Sequence, residues 1–150
     1  MSSLLIRRAQ VIDGSKGEPF PGDIALENGI ITEVSPSIKD GAKTVIEADG
    51  LVAAPGFIDI HSHTDLTIFE HPLAESKVLQ GVTTEVIGNC GIGAFPVNDE
   101  RKSILIDYLK IHDFHLPSDG LSWHNFTQYA DQLDRIGLGL NLAPLVAHGA

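Results

Sequence analysis

The sequence is short of cysteine, of basic residues and of long apolar runs. One cysteine, Cys90, stands among 150 residues, which excludes an internal disulfide framework and fits a reducing compartment. Lys and Arg number 10 against 20 Asp and Glu, a formal net charge of -10. A phosphate backbone needs clustered cations, so nucleic acid is excluded as the main partner. Acidity of this size means solubility and self-repulsion, not a specific partner. No stretch of about 18 apolar residues occurs, and the opening "MSSLLIRRAQ" lacks the apolar core of a signal peptide. These absences lead to the expectation of a soluble, cytoplasmic protein with no membrane partner. What is present is a hydrophobic fraction of 43%, enough for one core in a chain of single-domain length. Neither an internal repeat nor a low-complexity segment interrupts it.

Residues 1–55 read as strands and turns. "DIALENGIITEV" is two apolar runs joined by Asn28-Gly29, residues that tolerate positive φ, which predicts a two-residue hairpin. "KTVIEADG" predicts a further strand, and Pro36, Gly41 and Gly50 punctuate the stretch. No helical periodicity occurs here, so a small β layer is expected.

After Pro55-Gly56 the pattern changes. A short strand is expected over 57–60, then a brief helix over 73–80 stopped by Gly81, then the β-branched strand "VTTEVI". Ile104, Leu105, Tyr108, Leu109 and Ile111 have helical spacing, as do Phe126, Tyr129, Ala130 and Leu133, with Ser122 as the expected N-cap. "LGLNLAPLV" predicts another strand. Strands alternating with helices imply βα units on a parallel sheet. A closed βα barrel takes about 250 residues, so in a barrel this chain would hold only the first part.

Within "GFIDIHSHTD" (56–65), strand alternation places Phe57, Asp59, His61 and His63 on one face. Two imidazoles so placed can converge on one divalent ion. Asp59 on that face needs a hydrogen-bond or charge partner, and orienting a ligand histidine is one such role. Two partly exposed histidines in an ordinary loop fit the same letters. "GVTTEVIGNCGIG" (81–93) supplies the second signal, because Cys90 follows a strand in a glycine-rich turn and a thiolate is a strong zinc ligand. An unpaired cysteine can equally be a small buried apolar residue. Gly88-Asn89-Cys90-Gly91-Ile92 departs from a nucleophile elbow at Ile92, and Gly91-Ile92-Gly93 departs from a phosphate loop at Pro96.

With both motifs in order, the sequence resembles the amidohydrolase superfamily, and within it the D-aminoacylases, or N-acyl-D-amino-acid deacylases. The first motif is shared across that superfamily, and the cysteine segment points to the narrower branch. "LSWHNFTQYADQL" and "NLAPLVAHGA" are similar to the branch's W-x-x-F-x-x-Y helix and N-x-x-x-L-V-x-H-G strand. The resemblance implies the first part of a β-sandwich over 1–55, followed over 56–150 by the first βα units of a metal-dependent (β/α)8 TIM-type barrel. It implies that His61 and His63 ligate a metal and that Cys90 is the thiolate ligand of a centre of one or two zinc ions. The implied substrate is a small N-acyl-D-amino acid. Asn141 and His148 match family positions without an assigned role, and Asp65 is expected either to hydrogen-bond near the ligands or to face solvent. The later histidines and the general-base aspartate of the family have no counterpart here. His71, His112, His115 and His124 are expected at the surface or in packing, and no deacylase activity is expected of the 150 residues alone. The other readings are a dihydroorotase- or hydantoinase-like hydrolase, a hydrolase with Cys90 as nucleophile, and a non-catalytic α/β domain.

Overall fold

The computed structural model describes residues 2–118 and 120–148, in two compact units, Met1–Pro55 and Gly56–Ala150. The first is a five-stranded sheet. Its centre is β1 (Ser2–Val11), which pairs antiparallel with β2 (Phe20–Glu27), itself paired antiparallel with β3 (Ile30–Ser35). On its other side β1 runs parallel to β4 (Ala42–Glu47), and to the two-residue β5 (Val52–Ala53) further along. Asn28 and Gly29 close the β2–β3 hairpin with φ of 52° and 79°, the left-handed pair that matches the twist of the flanking strands.

A bulge breaks β1 between Ile6 and Ala9, where Arg8 takes a positive φ of 56°. The freed Arg8 N–H donates to Asp23 Oδ1, and the Ile38 N–H donates to Asp23 Oδ2, each at 2.9 Å. These two amides hold the buried Asp23 carboxyl below the usual carboxylate range. Asp23→Ala should lower the unfolding free energy by about 1–3 kcal/mol, because two donors lose their acceptor. A depressed folded pKa gives stability that is present above the unfolded value, near pH 4, and lost as pH falls through the folded one. The gap between wild type and Asp23→Asn in urea midpoint should therefore narrow from pH 7 to pH 3. One face of this sheet is an apolar cleft of about 770 Å³, lined by Ile6, Phe20, Ile24, Ile46 and Leu51 among others.

The second unit is built on an open parallel sheet of β6 (Phe57–Asp59), β7 (Val82–Ile87) and β8 (Asn141–Pro144), with β7 in the middle. A 3-10 turn (Thr67–Phe69) and α1 (Glu75–Val78) connect the first pair of strands. The helix expected over 73–80 is a single α-helical turn, since Pro72 precedes it and its N-cap Ala74 sits in the left-handed region at φ 45°. The second connection carries α2 (Lys102–Ile111) and α3 (Phe126–Ile136). Of the apolar residues expected on α2, Leu105 and Leu109 are buried while Ile104 and Ile111 face outward. The N-cap of α3 is Asn125, not Ser122, and its side chain accepts the Gln128 N–H at 3.1 Å. Asn caps as well as Ser does, and it stands next to the first helical residue.

The core of this unit gathers Leu66, Ile68, Ile87, Leu109, Trp123 and Tyr129. Phe69 stacks on Trp123 with centroids 5.3 Å apart, and Trp123 meets Tyr129 edge to face at 5.2 Å. Trp123 Nε1 donates to Ala94 O, and Tyr129 OH to Asp65 O, both at 2.7 Å. The polar tips of these aromatics thus reach the two loops that leave β6 and β7. Among the described residues no helix is long and apolar enough to cross a membrane.

Candidate metal centre

β6 ends at Asp59, and the chain bends at Ile60 and His61. Ser62 is then tied to the next strand, its N–H donating to Val86 O at 3.0 Å. The regular alternation expected through His63 therefore stops at Asp59, and Asp59 and Ser62 reach the same ammonium group, that of Lys77. After β7, Gly88 turns the chain at φ 80° into the short 3-10 turn Asn89–Gly91, and Cys90 itself is left-handed (φ 58°, ψ 17°). A left-handed cysteine is strained. Asn89 fastens this turn to the histidine segment, because its Nδ2 donates to Val86 O at 2.8 Å and to Ser62 O at 3.3 Å.

Cys90 Sγ lies 3.1 Å from His61 Nε2, and one ligand atom from each of His61, His63 and Cys90 falls within 4.8 Å of the others. Among the described residues this is the one such group of three metal-ligating side chains. His63 Nδ1 is buried and has no hydrogen-bond partner among the described residues. A tetrahedral zinc ion spaces its nitrogen and sulfur donors roughly 3.3–3.6 Å apart, so the three side chains need only small rotations to close on one. Two imidazoles and a thiolate suit zinc better than magnesium. The donor set fits the ion.

Asp59 does not orient an imidazole ring through a hydrogen bond. Its Oδ1 accepts the His61 backbone N–H at 3.1 Å, and its Oδ2 meets Lys77 Nζ at 2.6 Å. The Lys77 ammonium, with the His61 amide, holds this carboxyl below the usual range. Lys77 also meets Glu85 Oε1 at 2.8 Å, and the two carboxylates raise its own pKa. Glu85, fully buried in the middle of β7, accepts Ser62 Oγ at 2.9 Å and Thr64 Oγ1 at 2.5 Å. Sequence reasoning missed Lys77, Glu85, Ser62 and Asn89 as parts of the site. A signal for Glu85 existed, since a carboxylate inside the β-branched run "VTTEVI" must find partners if that strand is buried.

Asp65 is buried, so the solvent-facing option does not hold. Burial pushes its carboxyl up to about 6, the Glu85 charge adds to this, and the backbone amides of Asp65 and Gly88 oppose it. Burial and the Asp65 charge together raise the Tyr129 phenol. Asn141, exposed at the start of β8, donates from Nδ2 to Thr83 O at 3.0 Å and so braces β8 against β7. His148 is exposed. His71, His112, His115 and His124 are also exposed, and none joins a group of three ligating residues among the described residues.

No family model matches the chain. An N-acyl-D-aspartate deacylase of Alcaligenes xylosoxydans xylosoxydans is 34% identical over 147 residues, 98% of this chain and 28% of that protein. The N-acyl-D-glutamate deacylase of Bordetella bronchiseptica, solved with zinc and a phosphonate mimic of its tetrahedral intermediate, superposes with a TM-score of 0.80 at 29% identity. That match covers 98% of this chain and 30% of the other. A D-aminoacylase with a binuclear metal centre superposes with a TM-score of 0.78 at 28% identity, over 99% of this chain and 30% of its own. The chain spans less than a third of the length of these relatives. These matches extend over nearly the whole chain, and the chain belongs to the amidohydrolases, in their N-acyl-D-amino-acid deacylase (D-aminoacylase) branch.

Proposed function

We propose that this chain carries the opening part of the catalytic centre of a zinc-dependent deacylase that hydrolyses the amide of N-acyl-D-amino acids. In this reading β6, β7 and β8 are the first strands of a (β/α)8 barrel, and the β layer of residues 1–55 is part of a separate sandwich. His61, His63 and Cys90 hold one or two zinc ions. The observation that carries the reading is the gathering of these three side chains within 4.8 Å. An ion held there by His61, His63 and Cys90 would supply polarisation of the amide carbonyl and a lowered pKa for water. The chain's own residues hold the donors in place. Asn89 joins the cysteine turn to Ser62, and Asp59 fixes the His61 amide.

A general-base carboxylate and further ligands are expected beyond residue 150, as in the family. The 150 residues alone should therefore bind metal without turning over substrate. Titration with cobalt(II) as a zinc surrogate should give a thiolate-to-cobalt charge-transfer absorption that Cys90→Ser abolishes. N-acetyl-D-amino acids should remain intact in the same samples. Absence of the absorption in wild type would overturn the metal assignment, and measurable hydrolysis would overturn the assignment of the base to a position outside this chain.

The 3.1 Å contact between Cys90 Sγ and His61 Nε2 also has the form of a nucleophile–base pair. Such a pair needs a third group to orient the imidazole. Asp59, the nearby carboxylate in sequence, makes its hydrogen bonds with Lys77 and the His61 backbone. The metal reading uses all three gathered side chains, and the nucleophile reading leaves His63 without a role.

A further inference from the structure

Between the two histidines stands Ser62, buried and pointing away from the metal donors. Every polar atom of this serine is engaged. Its N–H donates to Val86 O, its carbonyl accepts Asn89 Nδ2, and its hydroxyl donates to Glu85 Oε1 while accepting from Lys77 Nζ at 3.2 Å. An ammonium has three donors, and Lys77 directs its Nζ at three acceptors, on Asp59, Ser62 and Glu85. Each of the three leads to the histidine segment. Asp59 carries on to the His61 amide, Ser62 is the residue between the ligands, and Glu85 carries on to Thr64 next to His63.

We propose that Lys77 is a positioning residue for the proposed metal centre, fixing the backbone of 61–64 through Asp59, Ser62 and Glu85 so that both imidazoles face Cys90. The inference rests on the metal reading above. The physical argument is one of degrees of freedom. β6 gives out at Asp59, so no strand pairing beyond the Ser62 N–H holds His61 and His63. Charge-assisted contacts are strong and directional, and here partly buried ones anchored on the buried Glu85 take over where the ladder stops. Lys77 itself touches neither histidine nor Cys90 by a hydrogen bond, and its lever is the backbone between them. A helix as short as α1 then has a reason to lie where it does. It presents one cation to the underside of the loop.

The test is a double variant, Lys77→Met with Glu85→Gln, which removes the charge pair without leaving a buried carboxylate unpaired. Cobalt(II) affinity of the intact chain should fall about 10–100-fold, the usual effect of losing a partner that orients metal ligands. The thiolate-to-cobalt absorption should persist at saturation, because the Cys90 turn is held by Asn89 and not by Lys77. Hydrogen exchange at the Ser62 amide of the metal-free protein should quicken while the α3 amides keep their rates. Wild-type affinity in a folded double variant would overturn the proposal. Should the double variant fail to fold, Asp59→Ala alone removes one arm at a partly exposed site, and unchanged affinity there overturns it equally. Wild-type chain that gives no cobalt absorption at all defeats the metal reading, and unchanged Ser62 exchange in the variant then defeats the positioning role separately.

Discussion

Trp123→Ala is expected to lower the unfolding free energy of the α/β unit by about 3–5 kcal/mol, the range for emptying a fully buried large aromatic site. Trp123 is 1% exposed, stacks on Phe69, meets Tyr129 edge to face and donates from Nε1 to Ala94 O. Rigid neighbours on three sides leave little scope for collapse, which places the cost high in the range. Trp123→Phe keeps most of the apolar volume and loses the hydrogen bond, so it should cost less than half as much. Urea denaturation followed by far-ultraviolet circular dichroism measures both. The effect should also reach the candidate site, because Tyr129 leans on Trp123 and supports the Asp65 carbonyl two residues after His63. A loss of about 1 kcal/mol or less would place Trp123 among ordinary surface-tolerant positions and overturn this account of the core.

Gly88→Ala should be the most damaging single methyl addition near the site. Two effects combine. The φ of 80° costs an L-residue about 1–2 kcal/mol. The added Cβ would also lie 2.5 Å from Leu145 O and 3.1 Å from its carbonyl carbon. That carbonyl cannot swing aside freely, because the Leu145 N–H is paired with Ile87 O at 2.9 Å. Gly29→Ala provides the comparison, with nearly the same φ of 79° and nothing within 4 Å of its added Cβ. The excess of the Gly88 effect over the Gly29 effect is then the steric contribution. We expect the cobalt–thiolate absorption of Gly88→Ala to be weakened or lost, since Cys90 follows two residues later in a turn that has had to move. Equal effects at the two glycines would mean that the β7–β8 contact yields easily.

Much of the chain was legible because its signals are local. Asn28-Gly29 dictates its own hairpin, the spacing of Phe126, Tyr129 and Leu133 dictates α3, and the β-branched run dictates β7. The grouping of His61, His63 and Cys90 could be foreseen from two motifs and a family resemblance. Strand alternation alone would have failed, since β6 is only three residues long and the backbone bends before the first histidine. Lys77 and Glu85 were not legible as partners, because their proximity depends on how α1 packs under β7. No local pattern encodes that. The helix over 73–80 was over-read for a related reason: its apolar residues Leu73 and Leu79 are exposed, so no buried face extends the turn.

Ser62 has a consequence for how this motif can vary. Its hydroxyl donates a hydrogen bond to Glu85 and accepts one from Lys77, so the letter between the histidines is chosen by two residues 15 and 23 positions away. An apolar side chain there would strand an ammonium donor and a carboxylate lone pair together. Positions 62, 77 and 85 are therefore expected to couple: substitutions at them should cost less together than the sum of the single changes, which a mutant cycle of unfolding free energies would measure. The middle of His-Ser-His looks like the open place in the motif, yet in this protein four hydrogen bonds meet there.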